Sequence, residues 1–171
     1  KERFFERRYG IGGEKVVVRH CWVSPNRLVN EAVRAGTPAR EVDRSAMEVQ
    51  AEQTIHQART RILGGEDFSA VVQQASHDLA TRDKGGVIPD YNYMHYGDVF
   101  AGQVRSLEPG AISEPFKTPA GWHLVRVDSR TTTVLVDVED QIVEELLGQP
   151  ASWQEKSSLI QPLQEQAVIQ R

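Results

Sequence analysis

Residues 15–23, KVVVRHCWV, and residues 121–125, GWHLV, are the two stretches that decide the fold. Both are runs of β-branched, apolar and aromatic residues next to turn residues, so each predicts a strand. Each also carries a histidine among apolar neighbours, His20 in the first and His123 in the second. A buried imidazole costs free energy unless its nitrogens are paired, and two such rings on adjacent antiparallel strands can satisfy each other. We therefore expect these two strands to be neighbours, although either histidine taken alone could be an ordinary core residue.

The sequence between the two strands predicts helices. Residues 40–63 form one long helical pattern, which Gly64-Gly65 ends. Asp67 is a candidate N-cap for a second, shorter helix. The apolar stripe of the long helix consists of Met47, Ala51, Ile55, Ala58 and Ile62, and that of the short helix of Phe68, Val71, Val72 and Ala75.

A loop rich in Gly, Pro and Tyr follows over residues 84–97, and residues 98–106 predict one or two helical turns. Two short strands come next, at 114–118 and 121–127, joined by a tight turn at Pro119-Ala120. The fold class is therefore α+β, with a small antiparallel sheet surrounded by helices. One strand precedes the helices and two follow them.

Helical segments are also expected at both ends of the chain. Residues 1–9 are helix-like, and residues 134–147 predict one amphipathic helix that includes Val138, Ile142, Val143 and Leu146. A further helix with Trp153, Ile160, Leu163 and Ala167 is expected after Pro150. We therefore divide the chain into a helical segment at 1–13, a domain at 14–130 and a C-terminal helical segment at 131–171. We expect the two end segments to pack together as the remains of a larger lobe in a longer protein.

Composition and motifs exclude several classes of function. Of the 171 residues, 39% are hydrophobic and 26% charged, and the net charge of −4 argues against a broad nucleic-acid surface. The single cysteine, Cys21, rules out an internal disulfide and a Cys-rich zinc site, and its apolar strand predicts an inert thiol. The sequence contains neither an H-E-x-x-H motif nor a G-x-S-x-G motif, and its glycines do not form a phosphate-binding loop. We expect no metal and no cofactor.

Seven short motifs, in order over about 115 residues, give the chain a specific resemblance. They are VRHCWV at 18–23, GGEDF at 64–68, ASHD at 75–78, Gly85-Gly86, Phe100, LEPGAISEP at 107–115 and GWHLV at 121–125. In this order and spacing they resemble the parvulin family of peptidyl-prolyl cis/trans isomerases. With its helical flanks, the chain is most similar to the bacterial extracytoplasmic foldases of that family.

The resemblance implies an enzyme that isomerises X-Pro bonds without a cofactor or covalent intermediate. It assigns His20, Asp78 and His123 to catalysis, with Asp78 near the susceptible carbonyl and the two histidines as the hydrogen-bonded floor. It assigns Phe100 and Tyr96 to the wall that grips the proline ring, Thr118 to the histidine network, and Ile112 to substrate binding. We expect His56 and His77 to be solvated surface residues.

The sequence departs from the family pattern at three places. Val87-Ile88-Pro89 replaces the usual acidic residue, leucine and glycine after the paired glycines, and Ala120 stands where many members carry Ser or Thr. Residues 26–46 form an insertion between the first strand and first helix. These departures leave a weakly active or inactive binding module for unfolded clients as the alternative function.

The expected partners are unfolded or proline-containing polypeptides. Self-association through the terminal helices is an additional expectation. Because the segment after the first strand has one arginine, Arg27, with Arg34 and Arg40 further on, we expect no dependence on phosphate. Family analogy predicts an extracytoplasmic location, with the cytoplasm as the alternative.

Overall fold

The computed structural model of the chain describes residues 2–148, which form two compact units. One unit consists of residues 14–132, and the other of the described residues up to 13 and from 133 onward. The helices are α1 (Glu2–Tyr9), α2 (Pro25–Arg34), α3 (Arg44–Leu63), α4 (Phe68–Ala75), α5 (Gly97–Ser106) and α6 (Leu135–Gly148). The strands are β1 (Glu14–Val23), β2 (Val87–Ile88), β3 (Phe116–Thr118) and β4 (Gly121–Thr132).

The strands form one antiparallel sheet in the order β2-β1-β4-β3. The two histidine-bearing strands are central neighbours, as the sequence predicted. Trp22 faces His123 and His20 faces Val125, so the two histidines occupy diagonal positions on the same side of the sheet. The register shifts between Val17 and Val18, where Asp128 has no partner in β1 and forms a bulge.

The two faces of the sheet bury different clusters. On one face, α3 and α4 cover the sheet, and their buried residues meet Cys21, Val23 and Leu124. The buried stripe of α3 consists of Ala51, Ile55, Ala58 and Ile62, and that of α4 of Phe68, Val71 and Val72. These residues were predicted, whereas Met47 and Ala75, which were also predicted, are only half-buried. The other face buries Val18, Val125 and Val127 against Phe100 and Val104 of α5. The histidines lie on this second face.

Three local predictions need correction. The long helix begins at Arg44 rather than at Arg40, because the Asp43 carboxylate accepts hydrogen bonds from the N–H groups of Ser45 and Ala46 and caps the helix there. The predicted helix at 40–63 is not the first after β1, since Pro25 begins α2, which covers the first part of the predicted insertion at 26–46. The sheet has a fourth strand, β2, whose two residues are too few to carry a periodic pattern.

Two strand boundaries also differ from the prediction. β4 continues to Thr132, five residues past the predicted end, because it pairs with β1 as far as Glu14. β3 begins at Phe116, directly after Pro115, which has no N–H to donate to a strand partner. The tight turn at Pro119-Ala120 is confirmed by the pairing of Thr118 with Gly121.

The second unit contains α1 and α6, which contact each other. Phe5 of α1 and Ile142 of α6 are buried, and Arg8 forms an ion pair with Glu145. Both helices were predicted, but Trp153, Ile160, Leu163 and Ala167 lie outside the described residues, as does the Leu146 side chain. No helix in the described part of the chain is both long and apolar enough to cross a membrane.

Candidate active site

Asp78 lies next to His20, in the segment that follows α4. Its Oδ2 is 2.7 Å from Nε2 of His20, and the Thr81 hydroxyl donates to the same oxygen over 2.5 Å. The N–H of Ala80 donates to Oδ1 over 3.1 Å. These donors stabilise the carboxylate, so the pKa of Asp78 lies well below its usual range, with the hydrogen bond to His20 as the largest cause. Asp78 is therefore a fixed anion at neutral pH, with 22% of its side chain exposed.

His123 has a separate hydrogen-bond partner on the neighbouring strand. Its Nε2 lies 2.9 Å from Oγ1 of Thr118, and this hydroxyl oxygen also accepts the N–H of Ala120 over 3.1 Å. His123 is only 7% exposed. Burial, and secondly the nearby His20, lower the pKa of His123 to about 4. His123 is therefore neutral at neutral pH.

The two histidine rings do not satisfy each other, so that part of the prediction is wrong. The rings of His20 and His123 are stacked with centroids 6.3 Å apart, and in the described chain neither Nδ1 has a hydrogen-bond partner. Each Nε2 instead bonds to a group from the loop or strand beside it. The polar side of the site is thus two short networks, Asp78–Thr81–His20 and Thr118–His123, placed side by side.

Aromatic rings form the other side of the site. Phe100 of α5 stands edge-on to His123, with centroids 5.5 Å apart, and Phe116 of β3 stacks on the same imidazole at 5.5 Å. Tyr96 lies over Phe100 with a centroid distance of 5.1 Å, and Tyr91 flanks both rings. Phe100 is 1% exposed and Tyr96 40% exposed. Tyr96 is therefore the accessible surface of the wall, and Phe100 is its buried support.

The paired glycines fix the loop that carries Asp78 against β1. The N–H of His20 donates to the carbonyl of Gly86 over 2.9 Å. Gly86 has φ +79°, and a Cβ there would lie 2.3 Å from the His20 carbonyl oxygen. Arg19 strengthens this junction, because its guanidinium donates to the Gly85 carbonyl over 3.4 Å. The same guanidinium is held by Asp128 over 2.5 Å and by Ser69 over 2.8 Å. Because the backbone at Gly86 comes so close to the His20 carbonyl, only glycine fits at position 86.

With this geometry in view, comparison with protein-family models matches residues 36–129 to the Rotamase family, the PPIC-type PPIASE domain. The match covers more than half of the chain. The chain belongs to this family. The predicted family is therefore confirmed, and the PPIC-type domain lies within the unit that carries the two histidine networks.

Individual relatives agree with this assignment. Chaperone SurA of Xanthomonas euvesicatoria pv. vesicatoria (strain 85-10) is 39% identical over 123 residues, which are 71% of this chain and 27% of that protein. The chain therefore spans only part of the length of the curated relatives that it matches. The crystal structure of peptidylprolyl isomerase (PrsA) from Bacillus cereus matches 85% of this chain and 46% of that chain, with a TM-score of 0.50 and 21% identity. The solution structure of TbPIN1 matches 68% of this chain and 97% of its own, with a TM-score of 0.53 and 21% identity. These structural likenesses confirm the predicted α+β fold of the PPIC-type domain.

Most of the predicted site residues come together, but Ile112 does not. Ile112 forms an isolated bridge with Arg126 and packs against the cluster under α3 and α4. It therefore lies on the opposite face of the sheet from the two histidines, because a residue facing Arg126 shares that residue's side. The structure gives no support to the predicted contact of Ile112 with substrate.

The expectation for His56 is confirmed and that for His77 is wrong. His56 is exposed. His77 has only 16% of its side chain exposed, and its Nδ1 accepts the N–H of Ser24 over 3.0 Å. The difference arises because the segment after α4 folds back along the edge of β1, a tertiary contact that the local sequence does not encode.

Two site residues were missed by the sequence analysis, Thr81 and Phe116. Thr81 follows Asp78 by three residues, and this spacing of an aspartate and a hydroxyl residue was the available signal. Phe116 lies opposite His123 across the β3–β4 pair, so its role was readable from the predicted hairpin. In the described part of the chain, no three His, Cys, Asp or Glu side chains are grouped so as to hold a metal ion.

Proposed function

We propose that residues 14–132 catalyse cis/trans isomerisation of X-Pro bonds in peptides and unfolded polypeptides, without a covalent intermediate. The observation that carries this proposal is the placement of an anionic Asp78 and two buried histidines beside an aromatic wall on one face of the sheet. The isomerisation barrier is about 18–20 kcal/mol, and it arises from the double-bond character of the amide. A site that holds the proline ring and disfavours that character lowers the barrier.

The proline ring is held by the aromatic side of the site. Tyr96 presents the accessible ring, Phe100 lies against it, and Phe116 packs against Phe100. An apolar surface of this kind fixes the ring while the acyl part of the substrate rotates about the C–N bond. Positioning of this type lowers the barrier only to the extent that the twisted amide fits better than the planar one.

Asp78 acts on the electronic structure of the amide. The planar amide carries negative charge on its oxygen and positive charge on its nitrogen, and the twisted amide carries less of both. A carboxylate facing the carbonyl oxygen therefore destabilises the planar form relative to the twisted one. His20 and Thr81 supply the hydrogen bonds that keep Asp78 ionised and oriented.

Exchange spectroscopy with a proline tetrapeptide tests this function directly. We expect the folded chain to transfer magnetisation between the cis and trans signals, and the variant Asp78→Ala to transfer it at least tenfold less. Asp83→Ala is the matched control, since Asp83 is an exposed aspartate whose carboxylate pairs with Arg82. A folded sample that gives no exchange at high protein concentration would contradict the proposal.

A second candidate is a binding module for unfolded clients. The apolar side chains around the site favour it, because Leu79, Met94 and Val99 are 58%, 79% and 54% exposed. The relatives named Chaperone SurA are consistent with it. The discriminating experiment compares the whole chain with a chain ending at Thr132, the last residue of β4. Under this candidate, the chain ending at Thr132 still suppresses aggregation, because Leu79, Met94 and Val99 all lie before Thr132.

The positions of the arginines bear on whether the substrate must be phosphorylated. Arg27 is exposed on α2, and the Arg40 guanidinium lies beside the Glu41 carboxylate. In the described segment between β1 and α3 we therefore infer no arginine cluster that would bind a phosphate dianion. We expect serine-proline and phosphoserine-proline peptides to exchange at rates within threefold of each other.

An extracytoplasmic location rests on family resemblance, and a phosphatase fusion to the full-length protein tests it.

A further inference from the structure

The segment that carries Asp78 runs along β1 beyond the two residues that pair with β2, and it bonds to Trp22 and to Ser24, which follows the strand. The N–H of Trp22 donates to Oγ of Ser76 over 3.2 Å, and the N–H of His77 donates to the Trp22 carbonyl over 2.7 Å. One step further, the N–H of Ser24 donates to Nδ1 of His77 over 3.0 Å. The imidazole therefore takes the place of a carbonyl in a strand ladder. The bond between Ser24 and His77 is the last one in the ladder, and Asp78 is the next residue along the loop.

This bond defines the chemical state of His77. A nitrogen that accepts from a backbone N–H carries no proton, so the ring is neutral with its proton on Nε2. Nε2 lies 4.0 Å from the Glu31 carboxylate of α2. The charged groups acting on the ring are Glu31, Arg27 and Arg82. Burial is the largest cause of a pKa for His77 below its ordinary value, which keeps the ring neutral at neutral pH.

We propose that neutral His77 is a positioning residue, which fixes the start of the Asp78 loop to β1 and thereby sets the distance between Asp78 and His20. This inference rests on the proposed isomerase function for its kinetic consequence but not for its structural one. His77 also joins the loop to α2, because Ser24 is the N-cap residue of that helix and its own side chain makes no cap bond. Loss of the bond therefore removes one of the contacts between the Asp78 loop and the end of β1, and leaves the Ser24 N–H without this acceptor.

Acidification has a defined effect on this bond. A proton on Nδ1 turns the acceptor into a donor that faces the Ser24 N–H, so the bond is lost. Because the pKa of His77 is lowered, the loss falls below pH ~6.5, the ordinary value for histidine. The wild-type chain should lose kcat/KM in that window through His77, and a variant with a permanent acceptor should not.

Two matched variants test the proposal. His77→Asn places an amide oxygen at the position of Nδ1 and keeps the acceptor, whereas His77→Gln places its oxygen one atom further out, near the position of Nε2. We expect His77→Gln to lower kcat/KM about tenfold and His77→Asn to stay within twofold of wild type at pH 7.5. We also expect the acid decrease below pH ~6.5 to be shallower in His77→Asn than in wild type. His56→Asn, at an exposed histidine, is the control.

A readout that needs no activity separates this inference from the proposed function. In a ¹³C titration of the Asp78 carboxyl, His77→Gln should raise its pKa toward the ordinary aspartate value, and His77→Asn should leave it near that of wild type. If Asn and Gln give equal Asp78 titrations, or if ¹⁵N shifts place the His77 proton on Nδ1, the inference is wrong whatever the activity. If the titrations differ as expected but no variant isomerises a peptide, the proposed function fails and the positioning role stands.

Discussion

The rings of His20 and His123 lie 6.3 Å apart, with their planes only 19° from parallel. This stacking brings together two groups that both gain positive charge on protonation, in a region with little water. His20 has an anionic neighbour in Asp78, whereas His123 has only the neutral hydroxyl of Thr118. The two rings therefore have different surroundings, and the fold resists protonation of His123.

The first prediction concerns stability in acid. His123 has a pKa of about 4 in the folded chain and about 6.5 when unfolded. Between these values the unfolded chain binds the proton at His123 and the folded chain does not. His123 therefore makes stability fall as the pH is lowered from about 6.5 to about 4, by at most about 1.4 kcal/mol per unit. Asp78 has a lowered pKa, so its contribution is lost only below pH ~3.8.

Urea unfolding at pH 7, 5.5 and 4.5 measures this window. His123→Gln should flatten the dependence on pH over that range, although the variant is less stable throughout because it loses the imidazole bond to Thr118. His56→Gln should keep the wild-type slope, since His56 is exposed. An unchanged slope in His123→Gln would show that His123 is not the group responsible.

The second prediction concerns Asp78 and stability. From the sequence alone, we would expect Asp78 to be a loop carboxylate near the site whose removal leaves the melting temperature nearly unchanged. The structure shows it accepting bonds from His20, Thr81 and Ala80, so we expect Asp78→Ala to lower the free energy of unfolding by about 1–2 kcal/mol. Urea titration of Asp78→Ala at pH 7 decides between the sequence-based and the structure-based expectation, with Asp83→Ala as the control. A loss below 0.5 kcal/mol would favour the sequence-based expectation.

The third prediction separates backbone strain from steric clash at two glycines. Both Gly65 and Gly86 have positive φ, but a Cβ on Gly65 meets open space and one on Gly86 lies 2.3 Å from the His20 carbonyl oxygen. We expect Gly65→Ala to cost about 1 kcal/mol through strain alone. Gly86→Ala should cost about 3 kcal/mol or more and also reduce activity, because the shifted backbone carries His20. If urea unfolding shows the same loss of unfolding free energy for Gly65→Ala and Gly86→Ala, the loop at Gly86 moves aside without disturbing His20.

The fourth prediction separates the surface of the aromatic wall from its support. Tyr96 is 40% exposed, so Tyr96→Ala should reduce kcat/KM about tenfold while lowering stability by less than 1 kcal/mol. Phe100 is 1% exposed and contacts both histidines, so Phe100→Ala should cost about 3–5 kcal/mol. Phe100→Leu retains most of the buried volume and is the matched variant. If Tyr96→Ala leaves kinetics unchanged, the proline ring binds elsewhere.

Local patterns in the sequence predicted a large part of this fold. The runs around His20 and His123 identified the central strand pair, and the apolar stripe from Ala51 to Ile62 identified the long helix. Boundaries were less accurate, because they depend on single groups such as the Asp43 cap. A two-residue strand such as β2 is held by its partners, and it has no pattern of its own.

The candidate site was predictable where motif spacing carries the information. Asp78, His20, Thr118 and His123 lie together as the resemblance implied. The error at Ile112 arose because its motif fixes a turn but not the face of the sheet that its side chain occupies. The roles of Thr81 and His77 depend on how the loop folds onto β1, which only the three-dimensional structure shows.

The pairing of Glu14 with Thr132 has an evolutionary consequence. The chain enters and leaves the unit formed by residues 14–132 at two facing residues, about 5 Å apart between Cα atoms. Just outside them, the carbonyl of Gly13 accepts the N–H of Thr133 over 2.8 Å. Excision of residues 14–132 would therefore leave two ends that already touch, and one short peptide could rejoin them. A gene could gain or lose this module as a single cassette without rerouting the helices on either side.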